Sequence, residues 1–287
     1  MHPSQLIDIP SLLRRYSLKP DQRLGQNFLI EPAVLQRIVQ AGNLGFEDTV
    51  LEIGPGLGSL TCLLAENTRH VIAVELDKKI IPVLRGVLSP YPNVCMIQGD
   101  ILSLDPSALV GKFQDKEPYV YKVVANIPYN ITSALIRHLL ETCYPPSLLV
   151  LTVQLEVAER ICALPGKMNL LAISVQVYGE PQLIHRIPAG SFYPPPKVDS
   201  AIIRIDLYNQ PVVKTELIKV FFQLAKAGFS QKRKTLRNAL SGGMGWTPQH
   251  TADVLLASGI DPQRRAETLS LEEWRQLTTK LIENRLD

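Results

Sequence analysis

From Thr49 onward the chain alternates short apolar runs with amphipathic stretches. Val50-Leu51-Glu52-Ile53 is a strand-like run stopped by Gly54-Pro55-Gly56-Leu57-Gly58, and Leu60 to Glu66 reads as the helix after it. Val71 to Glu75 predicts a second strand, Asp77 a helix cap, and Lys79 to Leu88 a second helix. Val94 to Ile97, Tyr121 to Ala125 and Leu148 to Val153 predict three more strands, with a helix from Ser133 to Thr142. Short Val/Ile/Leu-rich strands separated by helices are what a sheet buried on both faces requires. Their repeated order predicts an α/β fold with a doubly wound, Rossmann-like parallel sheet. Ahead of it, Leu12-Leu13 among Arg14, Arg15 and Lys19 suggests a short helix, and Pro32 to Ala41 has helical spacing.

Two further strand-like runs follow, Leu171 to Val177 and Ala201 to Leu207. The strand signal then stops. Thr215–Ala227, Lys232–Leu240, Thr247–Ser258 and Leu271–Asn284 all read as helices. The expected organisation is a larger catalytic domain over 1–208 and a small helical domain over 209–287.

Charge adds a partner class to this layout. The net charge is +3, but residues 209–287 hold 12 Lys and Arg against 8 Asp and Glu, while 1–208 hold 18 against 19. A basic small domain points toward a polyanion. Its densest part is Lys226, Lys232, Arg233, Lys234 and Arg237, with no acid between 224 and 237. On a helix, 233 and 237 would share a face suited to phosphate contacts, with a merely solvated helical face as the plainer alternative. No apolar run approaches membrane-spanning length, so no membrane partner is expected. Met1 to Gln5 lacks a secretory pattern. Cys62, Cys95, Cys143 and Cys162 have neither zinc nor disulfide-framework spacing. They read as small thiols among apolar neighbours in a reducing cytoplasm, and no metal is expected.

The candidate chemistry lies at the strand ends, where doubly wound sheets bind ligands. Gly54-x-Gly56-x-Gly58 permits a tight turn and close ligand approach at a helix N-terminus. Its spacing departs from the dinucleotide fingerprint. Glu75, ending the second strand, can accept both hydroxyls of a ribose, with a solvated helix-capping acid as the alternative, and Asp100, after the third, can accept from an adenine amine, with the N-cap of the next helix as the alternative. Asn126-Ile127-Pro128-Tyr129 after the fourth strand is the sharpest signal. The N6 amine of adenine is a weak nucleophile because its lone pair is delocalised into the ring. The Asn126 side-chain carbonyl and the Ile127 main-chain carbonyl can hold its two hydrogens, leaving the lone pair aimed at a sulfonium methyl. Pro128 fixes the backbone between them, and Tyr129 offers a ring for stacking. Phe192, in Phe192-x-Pro194-x-Pro196-x-Val198-x-Ser200, is a candidate second aromatic face, with a core phenylalanine as the plainer reading.

The order Leu24-Gly25-Gln26-Asn27-Phe28-Leu29, Glu52 to Gly58, Glu75, Gly99-Asp100, Asn126 to Asn130 and the Phe192 motif resembles the ribosomal RNA adenine N6,N6-dimethyltransferases, in particular their bacterial small-subunit branch. The resemblance runs from about residue 20 to the C-terminus. It implies a class I methyltransferase sheet with a small C-terminal helical domain, S-adenosyl-L-methionine as cofactor, and dimethylation of two adjacent adenosines in the 3′-terminal hairpin loop of small-subunit rRNA, naked or in a pre-30S particle. Carried over position by position, the cofactor contacts are Asn27, Leu29, Gly54, Glu75, Asp100 and Asn126. The chain is expected to act as a cytoplasmic monomer in ribosome biogenesis. Ile127 stands where bacterial small-subunit members commonly have Leu, as in the erythromycin-resistance methylases of large-subunit rRNA, which are the nearest alternative. Leu170-Leu171 stands where the family often has Tyr-Gly. An assembly factor acting mainly by binding is the alternative from another class.

Overall fold

A computed structural model describes residues 7–114 and 117–286. The Met1–Gln5 stretch lies outside the described residues. Among the described residues nine strands occur in chain order: β1 (Phe28–Leu29), β2 (Thr49–Ile53), β3 (His70–Glu75), β4 (Val94–Gln98), β5 (Lys122–Asn126), β6 (Leu148–Gln154), β7 (Gly179–Ile187), β8 (Phe192–Tyr193) and β9 (Ser200–Leu207). Seven form one sheet in the order β4-β3-β2-β5-β6-β9-β7, and β1 pairs separately with β8. From β4 to β6 neighbouring strands are parallel, and β9 runs antiparallel to β6. The order reverses around β2, so the ends of β2 and β5 open into the crevice of a topological switch point.

The central strands form because both faces bury apolar side chains. Val50, Leu51, Val71, Ile72, Val123, Val124, Leu149 and Val150 have no exposed surface. Helices Pro32–Ala41 and Ser59–Asn67 pack on one face, where Leu35, Ile38, Leu60 and Leu64 join Val50, Val71, Val124 and Val150 in one cluster. Burying each such side chain contributes on the order of 1.5–3 kcal/mol before chain entropy is counted.

The chain divides into two compact units, one of 1–158 with 182–207 and one of 159–181 with 208–287. Residues 159–181, assigned from sequence to the first domain, thus group with the C-terminal helices. Leu171 to Val177 is not a strand. Leu170–Gln176 is a helix, capped by the Asn169 side chain accepting from the Ala172 N–H, and its Ala172 and Ile173 sit in the second unit's core with Phe221, Leu224, Leu236 and Trp274. Nor does a helix start at Lys232. Ile218–Phe229 ends first, residues 230–234 turn, and Thr235 caps Leu236–Met244 by accepting from the Asn238 N–H. The four cysteines are free, and Cys143 is exposed rather than packed among apolar groups, since it follows the end of helix Thr132–Leu140. Among the described residues, no helix is long and apolar enough to cross a membrane, and no group of three His, Cys, Asp or Glu could hold a metal ion.

Candidate active site

A cavity opens at the ends of β2, β3, β4 and β5. Its walls are the loop 24–29, the turn 53–57, Glu75-Leu76, Gly99-Asp100-Ile101 and Asn126-Ile127-Pro128-Tyr129. The strand-end residues proposed from sequence are thereby brought together, with Asn27 and Leu29 joining from the N-terminal loop.

The glycine turn is held by its neighbour strand. Gly56 has φ of +59°, and a Cβ there would meet Cδ1 and Cε1 of Phe28 at 3.0 Å, so only glycine fits without displacing that ring. Its N–H donates to Glu75 Oε2 at 3.1 Å, while the Asp77 N–H donates to Glu75 Oε1 at 2.8 Å. Both carboxylate oxygens are thus oriented by the backbone, and each keeps a further lone pair. Burial raises the Glu75 pKa above the ordinary carboxylate value, opposed by those two N–H donors.

The loop carrying Asn27 and Leu29 is anchored at both ends. The Gln26 amide donates to Asp77 Oδ2 at 2.8 Å and accepts from the Asp21 N–H at 2.8 Å. Gly25, at φ +65°, lets the loop pass close to the catalytic motif, because a Cβ there would lie 3.2 Å from Pro128 Cβ and from Asn130 Oδ1. Leu29 pairs with Phe192 in the β1–β8 ladder.

Asn126 is the hinge of the arrangement. Its Nδ2 donates to the Asn27 main-chain oxygen at 3.1 Å. A carbonyl can only accept, so this bond fixes which end of the amide is nitrogen and leaves Oδ1 as the free acceptor. Among the described residues, no donor reaches Asn126 Oδ1 or the Ile127 carbonyl. The Ile127 side chain is buried at 2% exposure and anchors the turn, and Pro128 follows at φ −60°. Tyr129 lines the cavity, half-buried.

Phe192 is placed differently. It is 2% exposed, packed with Leu29, Leu35 and Ile202 in the core, and does not line the cavity. The geometry favours a core phenylalanine over a second base-stacking face. Asp100 is exposed, with Oδ1 accepting from the Leu102 N–H at 3.0 Å and Oδ2 unengaged among the described residues.

Three contributors went unassigned from sequence. Gln26 locks the loop. Leu76 is 50% exposed beside Glu75 and gives the cavity an apolar lining residue, as Ile101 does. Glu52 is 1% exposed within β2, lines the cavity, and has no partner for Oε2. Burial above all, with the nearby Glu75 charge adding, pushes its pKa up to about 8. An acid inside an otherwise apolar strand was the available signal.

In the second unit, Lys226, Lys232, Arg233 and Lys234 are exposed and Arg237 half-exposed. Lys232 to Lys234 lie in the turn between two helices, so Arg233 and Arg237 do not share a helical face. Among the described residues, none of the five makes an ion pair.

The profile of the ribosomal RNA adenine dimethylase family matches residues 18–283. The chain belongs to this family. The dimethylase is 45% identical to the "Ribosomal RNA small subunit methyltransferase A" of Dehalococcoides mccartyi over 98% of this chain and 95% of that one. It is 40% identical to the protein of the same name from Bacillus mycoides, over 96% of each chain. Among solved structures, a dimethyladenosine transferase from Plasmodium falciparum superposes with a TM-score of 0.76 at 25% identity, covering 90% of this chain and 98% of that one. The 23S rRNA methyltransferase ErmE gives 0.72 at 26% identity, covering 89% and 100%. The dimethylase is therefore an enzyme of rRNA adenine methylation, built on the class I methyltransferase fold.

Proposed function

We propose that this dimethylase uses S-adenosyl-L-methionine to convert two adjacent adenosines in the 3′-terminal hairpin loop of small-subunit rRNA to N6,N6-dimethyladenosine. The observation that carries the chemistry is the oriented Asn126 amide, whose free Oδ1 stands beside an unengaged Ile127 carbonyl at the switch point. The small-subunit substrate is supported by relatives named for it at 40–45% identity over nearly the whole chain. The large-subunit alternative has a structural likeness at 26% identity.

The cavity fits the cofactor. Gly54 and Gly56 present backbone to it, Glu75 offers two lone pairs at a ribose-binding position, and the orphaned Glu52 Oε2 adds a buried polar group to its lining. When bound, S-adenosylmethionine supplies a methyl on a sulfonium leaving group. Glu75 would hold the ribose hydroxyls and Asp100 the adenine amine, with Asn27, Leu29, Gly54, Leu76 and Ile101 lining the same cavity.

The protein's share of catalysis is positioning and charge placement. In the first transfer Asn126 Oδ1 and the Ile127 carbonyl accept the two N6 hydrogens of the target adenine; in the second, one of them accepts the single hydrogen that remains, and each transfer releases one N6 proton to solvent. Both acceptors gain as the nitrogen becomes pyramidal and acquires positive charge, so they bind the transition state better than the ground state. Tyr129 stacks on the extruded base, which must leave its neighbours to be reached. Lys226, Lys232, Arg233, Lys234 and Arg237 hold RNA phosphates. The protein acts as a monomer in the cytoplasm, on rRNA or a pre-30S particle.

The test is to incubate it with methyl-labelled cofactor and with 30S or 50S particles lacking the modification. Label in 30S RNA, recovered as N6,N6-dimethyladenosine by nucleoside mass spectrometry, is expected. Label in 50S RNA alone would transfer the protein to the large-subunit branch.

A further inference from the structure

Tyr129, like Asn126, is held by more than the β5 turn. Its hydroxyl shares a 2.5 Å hydrogen bond with the Ser200 Oγ, 71 residues away. Ser200 is fully buried and opens β9, paired with Gln154 of β6. Its flank is pinned twice more. The Leu155 N–H donates to the Asp199 carbonyl at 3.0 Å, and the Ala189 N–H donates to Asp199 Oδ1 at 3.0 Å. One end of the bond is thus a rigid sheet corner. The other is a ring on a short 3₁₀ turn (Tyr129–Ile131), held locally only by the backbone and by the Thr132 hydroxyl donating to the Tyr129 carbonyl. A tyrosine ring has two rotatable bonds, and fixing its far end removes both freedoms. Burial pushes the phenol's pKa up despite the Ser200 bond, so the ring stays neutral through the working pH range.

We propose that Ser200 is the positioning residue of the base platform: its hydroxyl clamps the Tyr129 phenol so that the ring face stands ready for the extruded adenine. This gives the last residue of the proline-rich motif a task that the buried Phe192 does not perform. The proposal rests on the reading of Tyr129 as the stacking face. It also specifies how that face is held: through the sheet, by a bond that Phe at 129 or Ala at 200 removes equally. Preorganisation of this kind shows in the rate of the bound complex more than in affinity, because the ring can still find the base once RNA is held, only less often in register.

The experiment measures single-turnover methylation of unmodified 30S particles at saturating cofactor and RNA, with cofactor affinity and melting temperature taken in parallel. Ser200→Ala, Ser200→Cys and Tyr129→Phe are each expected to slow the step about tenfold. The double variant Ser200→Ala/Tyr129→Phe should be no slower than either single one, because both remove the same bond. Cysteine is slightly larger than serine and weakens the bond, so its agreement with the smaller alanine separates hydrogen bonding from a cavity. Cofactor affinity within twofold of wild type and a melting temperature within a few degrees are expected throughout. If the double variant is slowed by the product of the single effects, or if Ser200→Ala and Tyr129→Phe keep the wild-type rate, the clamp is overturned. Tyr129→Ala tests the underlying reading separately. A loss of at least a hundredfold supports the platform, and a wild-type rate overturns the platform and the clamp together. Should Ser200→Ala fold poorly, Tyr129→Phe alone still decides whether the bond matters.

Discussion

The two units of this enzyme put charged and polar groups to use in opposite ways. In the first, the important groups are few, mostly buried, and aimed by the backbone. Glu75 is oriented by two N–H donors, and Asn126 by the Asn27 carbonyl. In the second, Lys226, Lys232, Arg233, Lys234 and Arg237 are largely exposed, and none is ion-paired among the described residues. A buried group costs desolvation and is worth keeping only where its geometry is used. An exposed cation costs little and acts through counterion release, with loose geometric demands. The difference teaches where precision is needed. Substitutions in the first unit should change rates and specific affinities, and those in the second should change salt dependence.

The largest effect within the first unit's binding half is expected at Glu75. Glu75→Ala removes up to two charge-assisted hydrogen bonds to a ribose and also frees the Gly56 N–H that ties the glycine turn. Cofactor affinity should fall by at least roughly 10- to 100-fold, the scale of about 1.5–3 kcal/mol for one such bond, and further if both bonds are lost in full. Calorimetry on a folded variant with unchanged affinity would remove Glu75 from the site. Because the Glu75 pKa is raised, wild-type affinity should decline on acidification at a higher pH than an ordinary carboxylate would give. That acid dependence should be absent from Glu75→Gln.

A smaller effect, on stability, sharpens the cost side of the comparison. The folded protein keeps a proton on Glu52 up to about pH 8, whereas the unfolded chain loses it near 4.5. Between those values the folded state binds more protons, so stability falls as pH rises and levels off above about 8. Glu52→Gln should flatten this profile, gaining a few degrees in melting temperature at pH 8.5 and almost nothing at pH 4. Parallel melting curves for the two proteins across that range would show that Glu52 carries no such burden.

Much of the first unit was legible in the sequence because its constraints are local. A strand buried on both faces must be apolar throughout, and the residues after it must make a turn, so β2 to β6 and their terminal motifs stood out. The misreadings have equally physical causes. Leu170–Gln176 is apolar on more than one face because it is buried in a helical core, so its short run reads as a strand. The β7 strand passed unnoticed because it lies at the sheet's edge, with Glu180, Pro181, Gln182, His185 and Arg186 along it and an alternating burial pattern. The cationic turn at 232–234 has no Gly or Pro to announce it, and the helix begins only where Thr235 can cap it. The motif left Phe192 open between a stacking face and a core residue, because its burial is set by β1 and helix Pro32–Ala41, far away in sequence. The Gln26–Asp77 and Tyr129–Ser200 bonds join residues 51 and 71 positions apart and belong to the tertiary fold.

The central claim is that chemistry resides at Asn126 and RNA grip in the cationic turn. The most direct test crosses Asn126→Ala with the triple variant Arg233→Ala/Lys234→Ala/Arg237→Ala. Each is assayed for single-turnover methylation of unmodified 30S particles at saturating cofactor and RNA, and for the slope of log RNA affinity against log salt. Asn126→Ala is expected to lose at least a hundredfold in rate, the scale of one preorganised hydrogen-bonding group, with its slope unchanged. The triple variant is expected to keep its rate within a few-fold while its slope shrinks by about one for each phosphate it no longer neutralises. Robust dimethylation by a folded Asn126→Ala protein, or a wild-type salt slope in the triple variant, would contradict the account.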